Sequence, residues 1–246
     1  MILKSPKERL CVALDVDSYD EAKKIVNELK NHAGMFKVNS LFLSEGPNII
    51  ELVKSMGCKI FLDLKFHDIP NTVSNYARQA VRMGADVFTV HASGGFEMMK
   101  AARDAAEDEA KKLDVDRPMI LGITVLTSID EKALNNDLLV DGAVEDQVGH
   151  LAKLALKAGL DGVVASPRET RMIRDECGKD FVIVTPGIRP MEEDKNKEKK
   201  KDDQKRTMTP REAIKEGADF IVVGRPILEA KNRADAAKKI ISELSD

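Results

Sequence analysis

Tryptophan is missing from this chain, and only 4% of its 246 residues are aromatic. Such a composition cannot supply the row of ring faces on which single-stranded nucleic acid stacks. Neither sign of charge dominates: 39 Lys and Arg stand against 42 Asp and Glu, a formal net charge of −3. The molecule as a whole therefore has no electrostatic case for binding nucleic acid. No apolar run is long enough for a membrane-spanning helix. The opening residues, Met1-Ile2-Leu3-Lys4-Ser5-Pro6, lack the apolar core of a signal peptide. Cysteine is scarce as well. Cys11, Cys58 and Cys177 are scattered, odd in number and without metal-binding spacing, which predicts reduced thiols in a cytoplasmic protein. Cys11 and Cys58 lie in or beside strand patterns and read as core residues.

What is present is a regular alternation of two hydrophobic periods. Strand patterns fall at residues 9–15, 35–39, 58–64, 86–91, 119–125, 161–165, 181–185 and 219–223. Helical patterns follow at 18–32, 47–55, 73–83, 96–112, 144–157, 167–177, 210–216 and 226–244. Ser18 is placed to cap the first of these, with Glu21 at the capping-box position. A junction recurs: Met83-Gly84-Ala85-Asp86, Ala158-Gly159-Leu160-Asp161 and Glu216-Gly217-Ala218-Asp219. In each, glycine ends a helix and the chain enters a strand two residues later. Eight strand–helix units predict a single (β/α)8 TIM barrel over residues 1–246. A flavodoxin-like open sheet is the alternative, but it usually has fewer strands.

The most informative stretch is Asp63-Leu64-Lys65-Phe66-His67-Asp68-Ile69-Pro70-Asn71-Thr72. Side chains alternate along a strand, so Asp63 and Lys65 share one face and Leu62 and Leu64 the other. Asp68 follows in a predicted loop closed by Ile69-Pro70-Asn71. Two acids around one lysine at the end of a buried strand are expensive to place there for stability alone. A barrel of this kind builds its active face from the C-terminal ends of its strands. The other predicted strand ends bring Asp15, Lys37, His91, Thr124, Thr127, Ser128, Ser166, Pro186-Gly187-Ile188-Arg189 and Gly224-Arg225-Pro226 to that face. Gly224-Arg225 stands where a strand becomes a helix, so free backbone N–H groups and a guanidinium meet there, as phosphate binding requires. His91 has no second His or Cys at ligand spacing and reads as a hydrogen-bonded strand-end residue rather than a metal ligand. Residues 192–206 are almost all charged or amide and include Lys199-Lys200-Lys201. They predict a solvated loop, within a lid-like segment at about 189–209, of which a few residues would close over an anionic ligand.

At these residues the chain resembles the orotidine 5′-monophosphate decarboxylase family. The pieces that carry the likeness are Leu14-Asp15, Phe36-Lys37-Val38, residues 61–72 (FLDLKFHDIPNT), residues 90–95 (VHASGG), Val125-Leu126-Thr127-Ser128, residues 185–190 (TPGIRP) and Val223-Gly224-Arg225-Pro226. They come in the family's order and span nearly the whole chain. A bare DxKxxD is shared with related sugar-phosphate decarboxylases and aldolases, whereas DLKFHDIPNT together with TPGIRP is specific. The resemblance implies conversion of orotidine 5′-monophosphate to uridine 5′-monophosphate and CO2 without metal or organic cofactor. It implies catalytic roles for Lys37, Asp63, Lys65 and Asp68, with Lys65 giving its proton to C6 of the pyrimidine. It implies ribose contacts from Asp15 and Lys37, a pyrimidine contact from Thr127, and lid or phosphate contacts from Arg189, Gln204, Gly224 and Arg225. It also implies a homodimer in which Asp68 and Thr72 reach into the partner's site. Asn39 departs from the glycine that many members carry after Lys-Val, and residues 192–203 look expanded and more Lys-rich than the usual lid. Two other readings stay open on sequence: a Mg2+-dependent enzyme acting on a keto-sugar phosphate, and a non-catalytic phosphate-ligand binding protein.

Overall fold

The computed structural model describes residues 5–190 and 207–244. Its strands are β1 (Leu10–Ala13), β2 (Met35–Val38), β3 (Lys59–Phe66), β4 (Val87–His91), β5 (Met119–Ile123), β6 (Gly162–Val164), β7 (Val182–Thr185) and β8 (Phe220–Val223). They pair in sequence order into a closed barrel, and β8 returns to pair with β1. Every pairing is parallel. The architecture is the (β/α)8 barrel that the alternating pattern predicts.

Strand alternation divides the core into two layers. Leu10, Val12, Ile60, Leu62, Phe88, Val90, Ile221 and Val223 face the surrounding helices. Cys11, Ala13, Phe61, Val87, Leu121, Phe220 and Val222 fill the barrel. Burying one large apolar side chain contributes roughly 1.5–3 kcal/mol, so slipping a strand by one residue would move its whole set to the wrong layer. Burial pushes the Cys11 thiol up to about 12. That thiol is therefore protonated at neutral pH and packs as an apolar group.

Helix faces repeat the same logic. In Tyr19–Leu29 the buried residues are Ala22, Ile25, Val26 and Leu29, one face of a helix, and Ser18 accepts the Glu21 N–H at the N-cap. Thr209 and Glu212 close a full capping box before Pro210–Lys215. The recurring junctions behave alike: Gly84, Gly159 and Gly217 have φ of 74°, 80° and 106°, a turn that residues with a Cβ rarely make.

Several boundaries differ from the sequence expectation. β3 runs to Phe66 instead of stopping at 64, because a register shift against β4 carries the ladder past Lys65. Pro70 is not part of a loop but opens the helix Pro70–Arg82, where its missing N–H costs nothing. The expected helix over 226–244 is two helices, Arg225–Leu228 and Arg233–Glu243. The break comes where Asn232 turns from the helix and accepts the Asp235 N–H as a new N-cap. Ser40–Glu45 and Glu131–Asn136 are short helices that the periodicity did not reveal, each too short to show a repeat.

Candidate active site

A cavity of about 360 Å³ opens at the C-terminal end of the barrel, within the size range of small-molecule sites. Asp15, Lys37, Asp63, Lys65, Thr127, Arg189, Gly224 and Arg225 all line it. Six different strands or their following loops bring these residues together. Asn39 and Ser128 join them.

Four charges form a chain of alternating sign. The Lys37 ammonium lies 3.6 Å from Asp15 Oδ1 and 3.4 Å from Asp63 Oδ2. The Lys65 ammonium donates to the same Asp63 Oδ2 at 2.7 Å. Exposure rises outward from this centre: the Asp63 and Lys37 side chains are 9% and 10% exposed, Lys65 33% and Asp15 53%. Withdrawing a carboxylate from water costs several kcal/mol unless opposite charge and hydrogen bonds replace the solvent. Asp63 has two ammoniums on one oxygen and the Thr89 hydroxyl, at 3.0 Å, on the other.

Local backbone conformation delivers Lys65 to this position. Its φ is 51°, in the left-handed region that a residue with a Cβ enters at a cost of about 1–3 kcal/mol. The register shift between Leu62 and Phe66 coincides with it. The Lys65 N–H, turned from its regular partner, donates to Thr89 Oγ1 at 2.9 Å. Sequence alternation puts Asp63 and Lys65 on one face, and it has no means of showing this twist. Thr89 was not singled out on sequence. The available signal was a polar residue at an inward position of an otherwise apolar strand segment, Val87-Phe88-Thr89-Val90.

Asp68 and Thr72 lie apart from this group and are absent from the described lining of the cavity. Asp68 is exposed, its Oδ1 accepting the Ile69 N–H at 2.7 Å, with the Tyr76 hydroxyl 3.5 Å from Oδ2. Ile69 beside it is 67% exposed. Gln204 and the loop 192–206 fall outside the described residues. Asn39, in place of the expected glycine, has φ −137° and needs no left-handed turn; its Oδ1 accepts the Ser40 N–H and caps Ser40–Glu45. The loops after β7 and β8 carry Arg189, whose Nη1 donates to the Ile188 carbonyl at 3.0 Å, and Gly224, the N-cap residue before Arg225–Leu228, which lies against Asp15.

His67 and His91 stack with ring centroids 5.2 Å apart. Burial, then the neighbouring His67 and Lys65 charges, hold the His91 pKa below its ordinary 6.5, which favours a neutral ring. Among the described residues no three His, Cys, Asp or Glu side chains are grouped to hold a metal ion. His91 is the last residue of β4.

Residues 8–240 match the family described as Orotidine 5'-phosphate decarboxylase / HUMPS. The chain belongs to that family. It is 48% identical over 245 residues to the orotidine 5'-phosphate decarboxylase of Moorella thermoacetica, covering 99% of this chain and 95% of the relative. It is 49% identical over 241 residues to the enzyme of that name from Heliobacterium modesticaldum, covering 98% and 97%. The crystal structure of orotidine 5'-phosphate decarboxylase from Lactobacillus acidophilus superposes with a TM-score of 0.83 at 38% identity, covering 96% of this chain and 99% of that one. Membership fits a cavity whose walls carry both a buried carboxylate–ammonium array and two arginines. Among the described residues no helix is long and apolar enough to cross a membrane.

Proposed function

We propose that this chain is a cytoplasmic, cofactor-independent carboxy-lyase that converts orotidine 5′-monophosphate to uridine 5′-monophosphate and CO2 in pyrimidine synthesis. The observation that carries the proposal is the Asp15–Lys37–Asp63–Lys65 charge chain lining the cavity, with Lys65 Nζ and Asp63 Oδ2 2.7 Å apart. A binding protein for an anionic ligand gains nothing from a buried carboxylate at its ligand's reactive end; a decarboxylase does.

The chemistry asks for this arrangement. The bond from C6 of the pyrimidine to its carboxylate breaks, the electron pair stays on C6 and neutral CO2 leaves. Positive charge fixed in advance beside C6 lowers the energy of that carbanion. Lys65 supplies it, then transfers a proton from Nζ to C6 and regains one from water. Asp63 aims Lys65 through the 2.7 Å contact to its ammonium. Asp63 also lies beside the departing carboxylate, where repulsion is relieved as CO2 forms. Asp15 and Lys37 bind the ribose, and Thr127 contacts the pyrimidine. Gly224, Arg225 and Arg189 take the phosphate, with Gln204 as a further contact. Phosphate binding far from C6 contributes energy that aligns the ring.

Asp68 and Thr72 complete the site across a homodimer, each serving the partner's cavity. Support comes from the exposed Asp68 and its apolar neighbours Ile69 and Tyr76, which are 67% and 39% exposed and lie beside the site rather than in it. The test is the ultraviolet absorbance of orotidine 5′-monophosphate incubated with purified protein, with and without EDTA. Loss of the substrate signal at equal rates in both samples is the expected result. No turnover by folded protein, or turnover abolished by EDTA and restored by Mg2+, would overturn the proposal.

A further inference from the structure

Three buried threonines occupy the upper part of the barrel, and two of them do ordinary work. Thr124 Oγ1 donates to the Val164 carbonyl at 3.0 Å, and Thr185 Oγ1 to the Phe220 carbonyl at 3.4 Å. Both stitch one strand to the next. Thr89 is different. It is fully buried, and its hydroxyl contacts no carbonyl of the ladder but two groups of the charge chain.

The polarity of this contact is fixed by chemistry. An ionised carboxylate can only accept and a backbone N–H can only donate. The single Thr89 proton therefore goes to Asp63 Oδ1 at 3.0 Å, and an oxygen lone pair receives the Lys65 N–H at 2.9 Å. One hydroxyl thus grips β3 on both sides of Leu64. Holding Oδ1 fixes the plane of the carboxylate, which leaves Oδ2 facing the Lys65 and Lys37 ammoniums at 2.7 and 3.4 Å. Holding the Lys65 N–H gives a partner to the amide of the left-handed residue, φ 51°, within the register shift.

We infer that Thr89 is a positioning residue for the reaction: its hydroxyl locks the Asp63 carboxylate and the Lys65 backbone into the one arrangement that presents the Lys65 ammonium to the cavity. The inference rests on reading the cavity as the decarboxylation site. Its consequence is specific. Losing the hydroxyl frees Asp63 to rotate and Lys65 to relax, so alignment at the reacting carbon suffers while the phosphate end of the cavity is untouched.

The experiment compares Thr89→Val, which keeps shape and removes both hydrogen bonds, with Thr89→Ser, which keeps the hydroxyl. Expected for T89V is a kcat lower by about 10- to 100-fold with KM changed less than about threefold, the penalty of small misalignment. T89S is expected to recover to within about threefold of wild type. Wild-type kcat in T89V, or equal impairment of T89S and T89V, would overturn the inference, the latter because keeping the hydroxyl would then rescue nothing. A crystal structure of T89V gives a reading independent of turnover. Lys65 leaving the left-handed region, or its ammonium leaving hydrogen-bond reach of Asp63, supports the inference; retention of both contradicts it. Should T89V not fold, T89A goes through the same two measurements. Absence of turnover by wild type would instead count against the decarboxylase reading, leaving the crystallographic result to decide on Thr89.

Discussion

The two ends of this barrel use the same residue types for opposite purposes. At the N-terminal end, three aspartates repeat one device. Asp86, Asp161 and Asp219 each accept a backbone N–H from the preceding strand, from Ile60, Ile120 and Ile183, at 2.8, 2.7 and 2.8 Å. Each also takes its own cation: Lys54 at 3.4 Å, Arg117 at 2.6 Å and Arg174 at 2.7 Å. No two of these three aspartates share a cation, although Arg117 also reaches Glu107 at 3.2 Å, and each ties β4, β6 or β8 to its neighbour. At the C-terminal end, one oxygen of Asp63 is shared by two ammoniums, and Asp15 shares one of those. Closed pairs at a strand start hold the barrel together. An open chain of shared charges at strand ends, facing a cavity, leaves its interaction capacity for a ligand. The lesson is that pairing alone does not distinguish stability from function; what distinguishes them is whether the pair is complete.

That contrast yields graded outcomes. Arg225→Ala should raise KM for orotidine 5′-monophosphate about 10- to 100-fold, the loss of a charge-assisted contact to phosphate. Steady-state kinetics check it, and an unchanged KM would place the phosphate elsewhere. Asp161→Ala should cost about 1–3 kcal/mol of stability, since it leaves the Ile120 N–H unpaired and breaks the bidentate contact from Arg117. Urea unfolding measures this, and kcat/KM should stay within about twofold of wild type because the site is at the other end. A fall in kcat/KM larger than the fall in stability would dissolve the contrast between the two ends.

The smallest effect concerns His91. Its pKa lies below the ordinary 6.5 in the folded protein, chiefly through burial. The unfolded chain therefore takes up the proton first as pH falls, and stability is lost as pH drops below 6.5 toward the folded value. His91→Asn should show a shallower decline of unfolding free energy from about pH 7 to about pH 5 than wild type. Equal slopes would mean that other groups set the acid limit.

Most of the barrel is legible in sequence because its signals are local. Alternation assigns Leu10 and Cys11 to opposite layers, and the Gly-x-Asp junctions announce three strand starts. Asp63 and Lys65 fall on one face by the same arithmetic. What sequence could not show is non-local. The bonds from Ile120 to Asp161 and from Lys65 to Thr89 join residues on different strands, and only the barrel's register brings them into contact. The left-handed turn at Lys65 is invisible for a second reason: lysine gives no hint of it, whereas a glycine would. Asp68 shows the limit of a motif. It stands five residues from Asp63 in sequence yet outside the cavity that Asp63 lines, which an isolated spacing rule would have missed. The break before Asn232 was available from its cap chemistry and was hidden by the helical period on either side.

The most direct test is the initial rate of orotidine 5′-monophosphate consumption by Lys65→Ala beside wild type, both verified as folded by circular dichroism. Removing the proton donor and its charge should lower kcat by at least about a thousandfold while leaving the unfolding midpoint close to that of wild type. Turnover by K65A within about tenfold of wild type would contradict the assignment of Lys65 as the centre of the site.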